Sequence, residues 1–268
     1  MPKPKAKPSK KETPSKPPTQ QQPQDKPPDW PPLRSLLPPS DLYLDPVLDD
    51  QIYLIRNFLP SSLCKTYVSF LSSLPLTTTP GKPKKGDAVR VNDRFQIQDA
   101  EFAERLWSDT ALRELVMNPN GVEVEYEHDD EDGEEEGKKN AKAENERSMK
   151  EIWGGQPLGL NGNIRIYRYS QGQFFAQHYD DSNTLIHSNT AARTTWTLLI
   201  YLSTCTGGST IFYPEATRSN RNPAPISVPP ETGLALLHRH GERCLLHEGE
   251  LVSGGEKWVL RSDLVVKR

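Results

Sequence analysis

In "QFFAQHYDDSN" (173–183), His178 and Asp180 stand two positions apart in a run that reads as a β-strand. Side chains of a strand alternate faces, so these two project together while Tyr179 points the other way. An imidazole and a carboxylate on one face can hold a metal ion if a third donor arrives from elsewhere, and His247 in "LLHEGELV" is the candidate. Two imidazoles and one carboxylate on one octahedral face leave three positions open, which suits ferrous iron that must bind a bidentate co-substrate and O₂ together. Taken alone, an H-x-D pair is weak evidence, since such pairs in strands are more often hydrogen-bonded or solvent-facing polar residues.

Further cations follow. Gly254-Gly255 turns the chain into "KWVLRSDLVV", where Lys257 and Arg261 share parity and can face one interior. A buried cation beside a metal is costly unless an anion meets it, and the distal carboxylate of 2-oxoglutarate is such an anion; an internal ion pair is the alternative. Arg261 is the fallback for that role. In "RVNDRFQIQD", Arg90, Asn92 and Arg94 alternate and would line one face of a short strand, where the two arginines could hold an anionic group or form surface salt bridges. The polar segment "DDSNTLIHSNTAART" (180–194) reads as a loop at the edge of the site, placed to cover a substrate, with Arg193 able to contact what is bound there.

The elements that must position these groups are mostly strands. "GNIRIYRYS", "QFFAQHYD", "TTWTLLIYLS", "STIFY", "GLALLHRH", "CLLHEGELV" and "KWVLRSDLVV" are short runs with turn signals between them, Gly207-Gly208 among these. Such a series predicts a sandwich or barrel of antiparallel sheets. Ahead of it, "DDQIYLIRNFL" (49–59) reads as a strand. Pro60-Ser61 opens a helix with Leu63, Tyr67, Leu71 and Leu74 on one face, and Asp99 caps a second helix carrying Phe102, Leu106 and Trp107. The helices form a supporting layer.

Composition separates two segments from this domain. Thirteen of the 25 prolines and a run of lysines fall in residues 1–40, with almost nothing apolar to bury, so 1–40 reads as a disordered tail and 41–268 as the folded domain. The net charge of −3 conceals seven lysines in residues 1–28 and ten acids in 123–136, the core of an acidic insertion at about 121–150. Only Cys64, Cys205 and Cys244 occur, without C-x-x-C spacing, which argues against a disulfide scaffold or a cysteine-rich zinc site and for a reducing compartment. With no run of about 18 apolar residues and no apolar signal region at the N-terminus, a cytoplasmic or nuclear location away from membranes is expected.

The stretches "RYSQGQFFAQHYDDSN", "RTTWTLLIYLSTCTGGSTIF" and "ETGLALLHRHGERCLLHEGELVSGGEKWVLRSDLV" together resemble the catalytic domain of the iron(II)- and 2-oxoglutarate-dependent dioxygenases of the prolyl 4-hydroxylase type. The resemblance runs over about 160–267, and more loosely from 45 onward. It implies a double-stranded β-helix, a jelly-roll barrel that is mainly β with bracing helices (α+β). It also implies His178, Asp180 and His247 as iron ligands and Lys257 as partner of the 2-oxoglutarate C5 carboxylate. Tyr169, Tyr201 and Thr210 match co-substrate pocket positions, although each tyrosine also reads as a core residue with a satisfied hydroxyl. Of the other histidines, His238 reads as packing near the site, His240 as a loop residue, and His128 and His187 as exposed.

The implied activity is hydroxylation of an unactivated C–H with release of succinate and CO₂, with L-ascorbate rescuing over-oxidised iron. The expected substrate is a prolyl residue, hydroxylated at C4, in a cytosolic or nuclear protein. A small-molecule substrate and a non-catalytic scaffold using the charged segments stay open. Nucleic acid is disfavoured as a partner, because the enzymes that demethylate it carry two arginines after the last histidine. Oligomeric state is not legible.

Overall fold

The computed structural model describes residues 26–33, 38–79, 86, 88–119, 147–218 and 220–268. In chain order the strands are β1 (Asp45–Leu48), β2 (Ile52–Ile55), β3 (Thr77–Thr78), β4 (Arg90–Val91), β5 (Asp93–Gln98), β6 (Pro157–Leu160), β7 (Asn163–Tyr169), β8 (Phe174–His178) and β9 (Thr184–His187). There follow β10 (Thr190–Tyr201), β11 (Thr206–Gly207), β12 (Thr210–Tyr213), β13 (Ile226–Val228), β14 (Ala235–Arg239), β15 (Leu246–Gly249), β16 (Val252–Gly254) and β17 (Lys257–Lys267). Helices α1 (Ser61–Leu71), α2 (Ala100–Ser108) and α3 (Leu112–Met117) precede β6.

The strands assemble into a larger sheet in the order β1-β2-β14-β10-β17-β7-β5-β3, with β6 on β17 and β9 on β10, and a smaller one in the order β13-β12-β15-β8-β4. Every pairing along these paths is antiparallel. The result is the expected jelly roll, mainly β with bracing helices. Period-2 alternation sorts each long strand between two cores. Trp258, Leu260, Leu264 and Val266 of β17 pack with Phe102, Leu106 and Tyr67 of the helices on the outer face of the larger sheet. Val259 faces inward with Tyr169, Tyr201 and Phe212, between the sheets. Lys257 and Arg261 share that inward parity, so β17 delivers two cations to the barrel interior.

The helix layer follows the sequence closely. In α1, Cys64, Tyr67 and Leu71 are buried at helical spacing. Asp99 caps α2, its carboxylate accepting from the Phe102 amide at 2.9 Å and from the Trp30 indole at 2.8 Å. Trp30 corrects the expected extent of the tail. It is only 5% exposed, stacks on Phe102 at 4.1 Å, and is joined in the core by Leu33, while Tyr67 donates to the Pro31 carbonyl at 2.7 Å. Residues 26–33 therefore belong to the folded domain, because one indole and one leucine suffice to seat a proline-rich segment that composition alone marks as unstructured. Residues 1–25 and 121–146, the bulk of the acidic insertion with His128, lie outside the described residues.

Two other expectations are corrected. Arg90 and Arg94 do not share a strand: the chain crosses between sheets at buried Asn92, so Arg90 pairs with Phe175 of β8 and Arg94 with Tyr167 of β7. The segment 180–194 is not a covering loop but largely a hairpin. β9 pairs with β10 through Thr190↔His187, and the turn residues Ser188 and Asn189 take φ of 45° and 63°.

Candidate metal centre

β8 and β15 are antiparallel neighbours, and their register sets His247 opposite His178. That pairing is why two imidazoles some seventy residues apart in sequence meet. His178 stacks on Phe175 at 3.6 Å and His247 lies 5.5 Å from Phe212, fixing both rings. Nδ1 of His178 donates to the Ala176 carbonyl at 2.8 Å, and Nδ1 of His247 to the Leu245 carbonyl at 3.0 Å. A carbonyl only accepts, so each ring keeps its proton on Nδ1 and presents the Nε2 lone pair to the interior. Asp180, just past the end of β8, faces both: its Oδ1 is 3.8 Å from His178 Nε2 and its Oδ2 is 3.8 Å from His247 Nε2. One donor atom from each of the three residues lies within 4.8 Å of the others. Neutral imidazole lone pairs beside a carboxylate are the donor set a divalent metal requires.

Electrostatics hold that state. Burial, with His247 beside it, pushes His178 down to about 3, and burial lowers His247 as well, so neither needs to shed a proton to bind a metal near neutral pH. Burial alone would raise Asp180, but Arg261, aided by the surrounding imidazoles, holds the carboxyl well below its ordinary value. Arg261 grips Asp180 as a fork, NH1 to Oδ1 at 3.1 Å and NH2 to Oδ2 at 2.9 Å, and continues to Asp263, which pairs in turn with Arg165. Thr197 donates to Asp180 Oδ2 at 2.9 Å, His240 Nδ1 meets the Thr197 hydroxyl at 3.0 Å, and His240 Nε2 meets Thr194 at 2.9 Å. His240 lies in the connection just past β14, as the sequence suggests, but it is buried there in a network behind Asp180.

Lys257 stands deeper along the same cavity. It is 4% exposed, and its Nζ donates to the Gly208 carbonyl at 2.7 Å with no carboxylate in ion-pair contact among the described residues. The Tyr169 and Tyr201 rings flank the ammonium at 5.5 and 5.3 Å, and burial pushes it down to about 8. A buried ammonium whose contacts among the described residues are one carbonyl and two ring faces, with Glu250 acting only from a distance, is a seat for an anion. Tyr169 and Thr210 line the cavity with His178, Asp180, His247 and Lys257, whereas Tyr201 is fully buried and backs Thr210 through a 2.6 Å hydroxyl contact. Arg261 is committed to Asp180 and is not the free cation.

The cavity opens into a cleft of about 1060 Å³ lined by Arg90, Arg94, Arg165, Tyr167 and Asp181 beside His178 and Asp180. Arg90 lies over Phe175 at 4.3 Å, and Arg94 bonds the Gln96 side chain; neither has a carboxylate partner among the described residues. Arg193 is not brought to this cleft: its guanidinium donates to the Gly154 carbonyl at 2.9 Å. His187 sits on β9, beside Gly159.

A family model described as the 2OG-Fe(II) oxygenase superfamily matches residues 164–262, a span that includes all three clustered donors and Lys257. This segment is a 2OG-Fe(II) oxygenase domain. The enzyme class follows, a 2-oxoglutarate-dependent dioxygenase, and with it the use of Fe(II) and 2-oxoglutarate. Among solved structures, the chain is similar to an oxidoreductase of the 2OG-Fe(II) oxygenase family from Burkholderia pseudomallei, at 13% identity over 88% of this chain and 94% of the other, with a TM-score of 0.50. It is also similar to a prolyl-4-hydroxylase from Pseudomonas putida (15% identity, 84% and 96% covered, TM-score 0.47). A third is a prolyl hydroxylase from Trichoplax adhaerens in complex with a hypoxia inducible factor peptide fragment (14%, 80% and 83%, TM-score 0.47). No curated protein sequence matches the chain. The two facing sheets are thus those of the jelly-roll fold of 2OG-Fe(II) oxygenases.

Proposed function

We propose that His178, Asp180 and His247 hold the iron of this oxygenase and that Lys257 receives the C5 carboxylate of 2-oxoglutarate. Tyr169 and Thr210 shape the co-substrate pocket, and Tyr201 orients Thr210. The carrying observation is the convergence of two Nε2 lone pairs and one ionised carboxylate at one end of a cavity that also holds an unpaired buried ammonium. When bound, iron with 2-oxoglutarate and O₂ supplies the oxidising power for C–H hydroxylation, and the co-substrate leaves as succinate and CO₂. The chain's own residues do the positioning. Lys257 fixes the far end of the co-substrate, the Arg261 fork and Thr197 hold the Asp180 carboxylate in one orientation, and Leu199, Val259 and Phe212 keep the inner wall dry.

The substrate we propose is a prolyl residue of a protein, hydroxylated at C4, with L-ascorbate as reductant of over-oxidised iron and a cytoplasmic or nuclear setting. The motif order in the sequence supports this, and so does a mouth of about 1060 Å³, at the upper end of small-molecule pockets. Arg90 and Arg94 stand at that mouth from two different sheets, ready to contact an anionic part of the substrate; Arg193 has no place in this reading. The test is anaerobic Fe(II) and 2-oxoglutarate binding followed by succinate release and mass gain on proline peptides and on a metabolite panel, with His178→Ala as control. Succinate release stimulated by metabolites and not by peptides would overturn the prolyl substrate, and a His178→Ala protein turning over like the parent would overturn the metal site.

A further inference from the structure

We propose that His240 is a positioning residue for the metal centre, acting through Thr197 to hold the Asp180 carboxylate from behind; this rests on the reading of Asp180 as an iron ligand. His240 is not one of the clustered metal donors, yet its ring is buried. Backbone contacts seat it. The His240 amide donates to the Thr195 carbonyl at 3.0 Å and the Gly241 amide to the Asp180 carbonyl at 2.8 Å, so one dipeptide grips both β10 and the residue that faces the metal site. Gly241 takes φ of 74°, and a Cβ there would meet the Ser182 Cβ at 3.0 Å, so this close approach needs glycine.

The direction of each side-chain hydrogen bond follows from the two ends of the chain they form. Both oxygens of Asp180 accept from the Arg261 fork, at 3.1 and 2.9 Å, so the carboxylate only accepts and Thr197 must spend its one hydroxyl proton on Oδ2, at 2.9 Å. With that proton spent, the 3.0 Å contact between Thr197 Oγ1 and His240 Nδ1 is a hydrogen bond only if Nδ1 donates. Arg261 donates to the same Oγ1 at 3.3 Å, which uses its second lone pair. Burial disfavours a charged ring at His240, and a neutral imidazole with its proton on Nδ1 offers a lone pair at Nε2. The Thr194 hydroxyl, 2.9 Å away, then donates to that lone pair.

The far end agrees independently. A backbone amide only donates, and the Asn183 amide meets Thr194 Oγ1 at 2.9 Å, which leaves the Thr194 proton free to point at His240. Protons therefore run one way, from Asn183 through Thr194, His240 and Thr197 to Asp180. Hydrogen bonds in such a buried chain polarise one another, and the last of them fixes the carboxylate in one orientation. Asn183 also lines the cleft, so the chain ties the metal-facing carboxylate to the wall of the mouth.

The test has two readings on the full chain. Long-range proton–nitrogen NMR of the histidine rings, on the metal-free protein near neutral pH, should find His240 neutral with its proton on Nδ1. Thr197→Val should flip it to the Nε2–H form, since a buried N–H without an acceptor is costly. A ring already protonated on Nε2, or one indifferent to Thr197→Val, would overturn the chain. Titration with Co(II) should show affinity about 10- to 100-fold weaker in His240→Leu. His240→Asn, whose side-chain amide can place an N–H where Nδ1 stands, should restore most of it, and His240→Leu added to Thr197→Val should bring no further loss. Affinity in His240→Leu equal to that of the unsubstituted protein, or losses that simply add, would refute the positioning role while leaving the centre standing. Uptake undiminished in His178→Ala would overturn the centre itself, whereas the NMR result still decides the chain. Should His240→Leu not fold, the ring tautomer in the unsubstituted and Thr197→Val proteins supports or refutes the inference alone.

Discussion

At the scale of single residues, Lys257 is the clearest case of a group whose surroundings are incomplete without a ligand. Replacing it by methionine keeps the length of the side chain and removes the charge, so Lys257→Met should raise the 2-oxoglutarate Kd by about a hundredfold, the loss of a charge-assisted contact worth roughly 3 kcal/mol, and leave Co(II) binding unchanged; calorimetry reads both. Burial lowers this ammonium to about 8 in the free protein. Below that pH it is charged and meets the dicarboxylate directly. Above it a proton must be taken up on binding, so affinity should fall by up to about tenfold per pH unit until the lysine of the complex titrates; a flat profile from pH 7 to 9.5 would contradict the pairing. Lys257 and the three donors were legible because parity and order along strands carry over directly to one interior. The role of Arg261 was legible only in part: Asp263 shares its parity two residues on and an internal ion pair was an open reading, but nothing local points to Asp180 as the main partner. His238 was legible as packing near the site, whereas the burial of His240 was not, since a residue just past the end of a strand reads as a loop position.

At the scale of elements, β17 and the turn facing it do most of the positioning. Arg261 and Asp180 form a buried pair, and removing one partner of such a pair costs about 3–5 kcal/mol. Arg261→Gln should therefore lower the melting temperature and weaken Co(II) binding by about 10- to 100-fold through a carboxylate no longer oriented. The Gly207-Gly208 turn holds the carbonyl that accepts from Lys257. Gly207 has φ of 69°, and a Cβ there would sit 2.5 Å from the Leu251 carbonyl oxygen. Gly207→Ala should cost about 1–3 kcal/mol in denaturant unfolding and weaken 2-oxoglutarate binding as the Gly208 carbonyl moves. Strand existence was readable from alternation, whereas the break at Asn92 was not, because the alternation of Arg90, Asn92 and Arg94 persists across a change of sheet.

At the scale of the whole molecule, the two faces of the larger sheet have separate duties: helices and tryptophans outside, chemistry inside. The outer layer depends on Trp30, which composition hides in a run of prolines and which closes over Phe70 and Phe102. Trp30→Ala should destabilise the protein by about 3–5 kcal/mol, as other buried tryptophans do, and a chain beginning at residue 34 should behave likewise in thermal melts, while one beginning at residue 26 should melt like the full chain. Because Trp30 is bolted to α1 and α2 on the side of the sheet turned away from the cleft, an affinity handle or fluorophore fused ahead of residue 26 is attached behind the barrel. Tethering the enzyme to a sensor surface by that end would leave its mouth turned toward the solution.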